Sequence, residues 1–115
     1  MIQGMIDLPW WGFKHDYDAS KEIESMLKMC ERALSMKNLK SRDIIIMGHS
    51  AGGSVAQKWV NKHNDGFQQW SIIGQILMGS AVERKYIKIQ DDGTSIVDFK
   101  APIISINGEL DGLMR

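Results

Sequence analysis

The chain has 115 residues, and its 14 lysines and arginines balance its 14 aspartates and glutamates. That length suffices for one small domain, and the neutral balance provides no basic excess to attract nucleic acid or an anionic membrane. No apolar run is long enough for a membrane span, and the first residues lack the pattern of a signal peptide, so we expect a cytoplasmic protein. The single cysteine, Cys30, excludes an internal disulfide bond.

The first residues combine a short apolar segment with a tryptophan-containing loop. Residues 5–8 are predicted to be the end of a strand, and the loop that follows contains Trp10 and Trp11. Two adjacent side chains cannot lie on the same face of an extended chain. At least one tryptophan therefore covers a cleft or a partner, or else both cap the local core.

An amphipathic helix is predicted from Ala19 to Met36, with Asp18 as its N-cap. Its apolar residues recur at spacings of three, four and seven: Ile23, Met26, Leu27, Cys30, Ala33 and Leu34. Because Cys30 belongs to this apolar stripe, we expect its thiol to be buried and unreactive.

The most informative stretch is residues 43–53, DIIIMGHSAGG. Ile44 to Met47 form a continuous apolar run, typical of a central strand buried on both faces. The next five residues have the spacing G-x-S-x-G, which between a strand and a helix indicates a tight turn that projects a serine hydroxyl from the end of a sheet. Ser50 is therefore the candidate nucleophile, and the backbone N–H of Ala51 is a candidate donor to an oxyanion.

Three glycines surround this serine. Gly48 and Gly52 are expected to allow the close approach of backbone to backbone that the turn needs, while Gly53 adds slack. A second helix follows, with an apolar face of Val55, Ala56, Trp59, Val60 and His63. Since His63 is near the end of this helix, where a positive charge is favoured, a capping role is expected for it.

Two further buried strands are predicted, at residues 71–78 and 103–106. Between them, residues 86–99 alternate apolar and polar on either side of an Asp-Gly pair, which indicates a β-hairpin. We expect this hairpin to shape a cleft, and not to form a metal site from Asp91 and Asp92. No metal and no cofactor is expected.

The alternation of strands and helices predicts an α/β fold with a mostly parallel sheet, flanking helices and a hairpin excursion. In such a sheet the loops after the strands share one edge. Ser50, Ser80, Glu109 and Asp111 all follow strand ends, so they are expected to lie along that edge.

This arrangement resembles the α/β-hydrolase superfamily at three places in the same order. Residues 6–13 look like the strand and turn before the first large helix of that fold, residues 48–53 match its nucleophile elbow, and residues 102–111 look like its proline-led strand and acid turn. The resemblance implies that Ser50 is the nucleophile and Ala51 an oxyanion donor. It also implies that Asp111 is the acid that orients a histidine, with Glu109 as the alternative.

The superfamily's histidine follows the acid, and its second oxyanion loop precedes the region that is matched here, so both are expected outside these 115 residues. The residues present include His15, which is able to approach the cleft but departs from the family's chain order, and His49, expected to turn into the packing. We therefore expect residues 1–115 to be one partial domain, the central part of a longer hydrolase. Alone, it is expected to have marginal stability and no esterase turnover.

The function that the resemblance implies is hydrolysis of an ester, lipid or thioester through an acyl-serine intermediate at Ser50. Trp10, Trp11, Phe13 and Met78 near the predicted site favour a small-molecule substrate that is acyl or otherwise apolar. The chain looks most like the lipase, esterase and chlorophyllase side of the superfamily. The alternative is a truncated or noncatalytic module that keeps the fold for binding or interaction.

Overall fold

The computed structural model describes residues 18–107 of the protein. The elements in chain order are α1 (Ser20–Met36), β1 (Asp43–His49), α2 (Ala51–Lys62), β2 (Ser71–Met78), β3 (Ile87–Ile89), β4 (Ser95–Val97) and β5 (Ile103–Ile106). Several predicted features lie outside the described residues: the strand at 5–8, Trp10, Trp11, His15, Glu109 and Asp111.

Helix α1 begins one residue later than predicted. Ala19 occupies the N-cap position, but the carboxylate of Asp18 still holds the first turn, because it accepts hydrogen bonds from the backbone N–H of Ser20 at 2.9 Å and from its hydroxyl at 2.6 Å. Cys30 on the apolar stripe is partly buried and packs against the core. The predicted amphipathic helix is confirmed.

The predicted parallel sheet is also confirmed. Its strand order is β1-β2-β5, and both pairings are parallel. The strands β3 and β4 form a separate antiparallel hairpin, whose turn contains Gly93 at a φ of 86°. The described chain is thus of mixed α/β type, with a three-stranded parallel sheet, two α-helices and the predicted hairpin.

One face of the sheet carries the hydrophobic core. Residues from both helices meet there with side chains from the segments after them in a single buried cluster: Leu27, Trp59, Val60, Trp70, Tyr86 and Phe99. Ile44 and Ile46 of β1, Ile72 of β2 and Ile103 of β5 pack against this cluster from the sheet. Both helices therefore cover the same face.

The opposite face of the sheet is open. Ile45 and Met47 of β1 are 56% and 60% exposed, and Ile104 and Ile106 of β5 are 56% and 52% exposed. The prediction that β1 is buried on both faces is wrong for the described part of the chain. The three strands lie side by side in the order in which they occur in the chain. Right-handed crossovers between them therefore place successive connections on the same face of the sheet.

In residues 18–107, no helix is both long and apolar enough to cross a membrane.

Candidate functional site

The three parallel strands end at the same level. His49 is paired with Met78, and Met78 with Ile106. The ladder continues one residue further, since the N–H of Ser50 donates to the carbonyl of Met78 and the N–H of Gly79 to that of Ile106, both at 2.9 Å. The chain therefore leaves the sheet at one edge after all three strands, and Ser50 and Ser80 meet there as predicted.

Ser50 connects β1 directly to α2 in an unusual backbone conformation. Its φ is 54° and its ψ is −125°, and the residue is exposed. A positive φ is rare for any residue other than glycine, and the ψ of Ser50 lies outside even the left-handed helical region. A conformation of this kind costs about 1–3 kcal/mol, and it persists only where the surroundings enforce it. The predicted tight turn is present at Ser50.

Two glycines allow the close approach at this turn: Gly48, as predicted, and Gly53 in place of Gly52. A Cβ atom at Gly48 would lie 2.6 Å from the Cα of Gly53, and one at Gly53 would lie 2.6 Å from the Cβ of Ser80. A Cβ at Gly52 would meet nothing within 4 Å among the described residues. The close approach is thus made by Gly48 and Gly53, because the first turn of α2 packs between β1 and the loop after β2.

The backbone at the start of α2 supplies a donor beside Ser50. Ala51 is the first residue of the helix, so its N–H has no carbonyl one turn earlier to bind. The carbonyl of Ser50 accepts the N–H of Gly53 at 2.9 Å and also the hydroxyl of Ser80. The sequence pattern placed Ser80 at this edge, but its contact with Ser50 becomes visible only in three dimensions.

The loop after β2 is fixed to α2 by Gln57, which is fully buried. Its side-chain nitrogen donates to the carbonyls of Gly53 at 3.2 Å and Ala81 at 3.1 Å, and its oxygen accepts the N–H of Glu83 at 2.8 Å. This glutamine has no recognisable signal in the sequence, because a polar residue on a helix is normally assigned to the exposed face. It holds the loop that carries Ser80 in place.

No hydrogen bond within residues 18–107 joins His49 or His63 to Ser50. His49 is exposed and, by strand alternation, belongs to the open face with Met47, so the expectation that it turns into the packing is wrong. His63 caps the far end of α2, and twelve helical residues span about 18 Å.

His63 is surrounded by aromatic rings. The centroids of Trp59 and Phe67 lie 4.7 and 5.1 Å from that of His63. Burial lowers the pKa of His63, which disfavours the positive charge expected of a helix cap. His63 therefore occupies the predicted cap position, while its surroundings favour the neutral ring.

Asp91 and Asp92 lie in the turn between β3 and β4. Residues 18–107 contain no group of three or more His, Cys, Asp or Glu side chains arranged to hold a metal ion. The carboxylate of Asp92 instead closes the hairpin turn by accepting the N–H of Thr94 at 2.9 Å and its hydroxyl at 2.6 Å, which lowers the pKa of Asp92.

Two surface cavities, of about 410 and 600 Å³, lie at the opposite end of the sheet from Ser50. Both include Glu31 and Gln69, and the smaller one also includes Arg42, which precedes β1. The donors of Arg42 are directed to Glu31, Ser35 and the carbonyls of Leu39 and Ser41. The smaller cavity is therefore lined by the ion pair between Arg42 and Glu31.

Comparison of the chain with family models, with curated proteins and with solved structures found no significant match.

Proposed function

We propose that this protein is a serine hydrolase of the α/β-hydrolase type, acting on an ester, lipid or thioester with Ser50 as its nucleophile. The observation that carries the proposal is the backbone of Ser50, with a φ of 54° and a ψ of −125° in a residue that is not glycine. Strain of this kind clusters at functional sites. A turn that served only to join β1 to α2 would have no need of a serine in this conformation.

The position of Ser50 suits nucleophilic attack. The residue is exposed at the edge where the three strands end, and the N–H of Ala51 is adjacent. In the proposed reaction the Ser50 hydroxyl oxygen bonds to the acyl carbon as an imidazole takes its proton, and the carbonyl oxygen becomes an oxyanion that accepts the N–H of Ala51. The leaving alcohol or thiol takes the proton from the imidazolium, and water then hydrolyses the acyl-serine.

The remaining roles are assigned to residues outside the described range. Asp111 would orient the imidazole, with Glu109 as the alternative acid, and Trp10 and Trp11 would line an apolar acyl cleft. Within residues 18–107 no imidazole is hydrogen-bonded to Ser50. The base is therefore either His15 or a histidine that these 115 residues do not contain.

The decisive experiment is covalent labelling of the 115-residue chain by a fluorophosphonate, with the adduct located by mass spectrometry and free imidazole titrated into the reaction. Free imidazole replaces a missing histidine as the base. We expect an adduct on Ser50 whose rate of formation rises with imidazole concentration, in the wild type and in the control variant Ser71→Ala. The Ser50→Ala variant should form no adduct. Ser71 is a suitable control because it is an exposed serine at the opposite end of the sheet.

The other outcomes separate the alternatives. Labelling of Ser50 without imidazole would place the base within this chain, and its loss in His15→Gln would identify His15. If Ser50 forms no adduct at any imidazole concentration, the hydrolase proposal fails. The noncatalytic binding module then becomes the better interpretation.

A further inference from the structure

The carbonyl of Ser50 and the N–H of Ala51 belong to the same peptide unit. A trans peptide is planar, so its C=O and N–H point in opposite directions. No cis peptide bond occurs among the described residues. Whatever fixes the direction of the Ser50 carbonyl therefore also fixes the direction of the Ala51 N–H, and it does so through the ψ angle of Ser50.

The hydroxyl of Ser80 is the side-chain group that holds this carbonyl. It donates a hydrogen bond to the Ser50 oxygen, which also accepts the N–H of Gly53 at 2.9 Å. Ser80 lies in the loop after β2 and reaches the turn from the neighbouring strand.

Ser80 is itself held on several sides. Its own carbonyl accepts the hydroxyl of Ser105 at 2.6 Å, and the preceding Gly79 N–H is bound to Ile106 at 2.9 Å. On the helix side there is no free space, because a Cβ at Gly53 would lie 2.6 Å from the Cβ of Ser80. The backbone at Ser80 is thus anchored to β5, and its side chain is pressed against the first turn of α2.

We propose that Ser80 is a positioning residue: its hydroxyl fixes the Ser50–Ala51 peptide so that the Ala51 N–H points to the place where an oxyanion forms. The catalytic meaning of this role rests on the proposed function. The bond to the carbonyl also polarises the peptide, and a polarised peptide has a stronger N–H donor. Ser80 acts on the reaction through Ala51 and needs no contact with the substrate.

The site restricts which side chain can take this role. Gly53 leaves room only for a small residue, and the Ser50 carbonyl needs a donor. Alanine fits the space but cannot donate, and cysteine is slightly larger than serine and has a weak S–H donor. Ser80→Ala and Ser80→Cys therefore form a graded pair, while Ser105→Ala removes a hydroxyl bonded to Ser80 but leaves the Ser80 hydroxyl in place.

The first test uses NMR on the ¹⁵N-labelled 115-residue chain and needs no turnover. We expect the amide resonance of Ala51 to shift in Ser80→Ala and, by a smaller amount, in Ser80→Cys. Amide exchange at Gly53 should become faster in both variants, whereas Ser105→Ala should keep the wild-type Ala51 resonance. An Ala51 resonance unchanged in Ser80→Ala would overturn the proposal.

The second test measures the rate at which the fluorophosphonate labels Ser50 in the presence of imidazole. Loss of a complete oxyanion donor costs about 10²–10³ in rate. Misdirection of one donor should therefore slow the maximal labelling rate about tenfold in Ser80→Ala, with the half-saturating probe concentration unchanged. An equal change in Ser105→Ala would indicate general loosening and would count against the proposal. A shifted Ala51 resonance in a chain that never labels would support the positioning role and reject the hydrolase function.

Discussion

Two buried glutamines of this molecule, Gln57 and Gln75, should have opposite effects on the stability of the fold. Gln57 is fully buried, and both ends of its amide are bonded, to Gly53, Ala81 and Glu83. Gln75 in β2 is 2% exposed, and within the described part of the chain neither its side-chain nitrogen nor its oxygen has a partner. Burying an unpaired polar group costs about 1–3 kcal/mol, so Gln75 should destabilise the fold while Gln57 stabilises it.

Replacement of each glutamine by methionine should therefore change stability in opposite directions. Methionine has a similar length and no polar group to desolvate, so Gln75→Met should raise the free energy of unfolding by about 1 kcal/mol. Gln57→Met should lower it by about 2 kcal/mol or more, since three backbone groups lose their partner. Urea unfolding followed by circular dichroism measures both values. A loss of stability in Gln75→Met would mean that this amide has a partner in solution.

Helix α1 is tied to the amino ends of the strands by a polar cluster. The Glu31 carboxylate accepts bonds from Arg42, which precedes β1, at 2.5 and 3.0 Å, and from Gln69, which precedes β2, at 2.9 Å. These contacts, with Arg42 foremost, lower the pKa of Glu31 from 4.5 to about 2. The ionised carboxylate therefore joins one helix to two strand starts more strongly than the protonated acid would.

This linkage predicts a specific sensitivity to acid. The pKa of Glu31 is lower in the folded chain than in the unfolded one, so its contribution to stability is complete above about pH 4.5 and is lost as the pH falls towards 2. Glu31→Gln should lower the melting temperature near neutral pH and reduce its fall between pH 4.5 and 2.

Glu24→Gln, on the same helix, is the control, and it should follow the wild-type pH dependence. Melting curves at half-unit pH steps provide the comparison. If Glu31→Gln and the wild type lose stability in parallel over this pH range, the cluster does not tie α1 to the sheet.

The molecule as a whole has an unbalanced sheet. A parallel sheet normally carries cover on both faces, and here α1 and α2 both pack on one. The open face presents Ile45, Met47, Ile104 and Ile106, each more than half exposed. Apolar surface of this extent promotes association and dye binding, so the 115-residue chain should show both.

Neighbouring residues of β1 allow this asymmetry to be tested. Met47→Lys places a charge on the open face and should reduce binding of a hydrophobic dye, with a change in unfolding free energy within about 0.5 kcal/mol. Ile46→Lys places the same charge in the core face and should destabilise the chain strongly, because an unpaired charge becomes buried. Dye fluorescence and urea unfolding measure both effects. Equal destabilisation by the two variants would show that the open face is covered in solution.

Much of this architecture follows from local patterns in the sequence. The apolar spacing of three and four in α1 and the β-branched run in β1 predicted these elements to within a residue or two, and the Asp-Gly pair predicted the hairpin. The turn at Ser50 was predicted from five consecutive residues. Each of these features depends on neighbours in the chain, which is why a pattern is enough to identify it.

Other features depend on contacts between residues distant in the chain. The strand order and the hand of the crossovers determine which face of the sheet is covered. The apolar run in β1 does not reveal this, because the same run would occur in a strand covered on one face or on both. Gly53, and not Gly52, is the glycine that has no room for a side chain, because Ser80, about thirty residues later, packs against it. The sequence therefore predicts Ser50 and its turn, while the packing of β2 and β5 against that turn determines what holds its peptide in place.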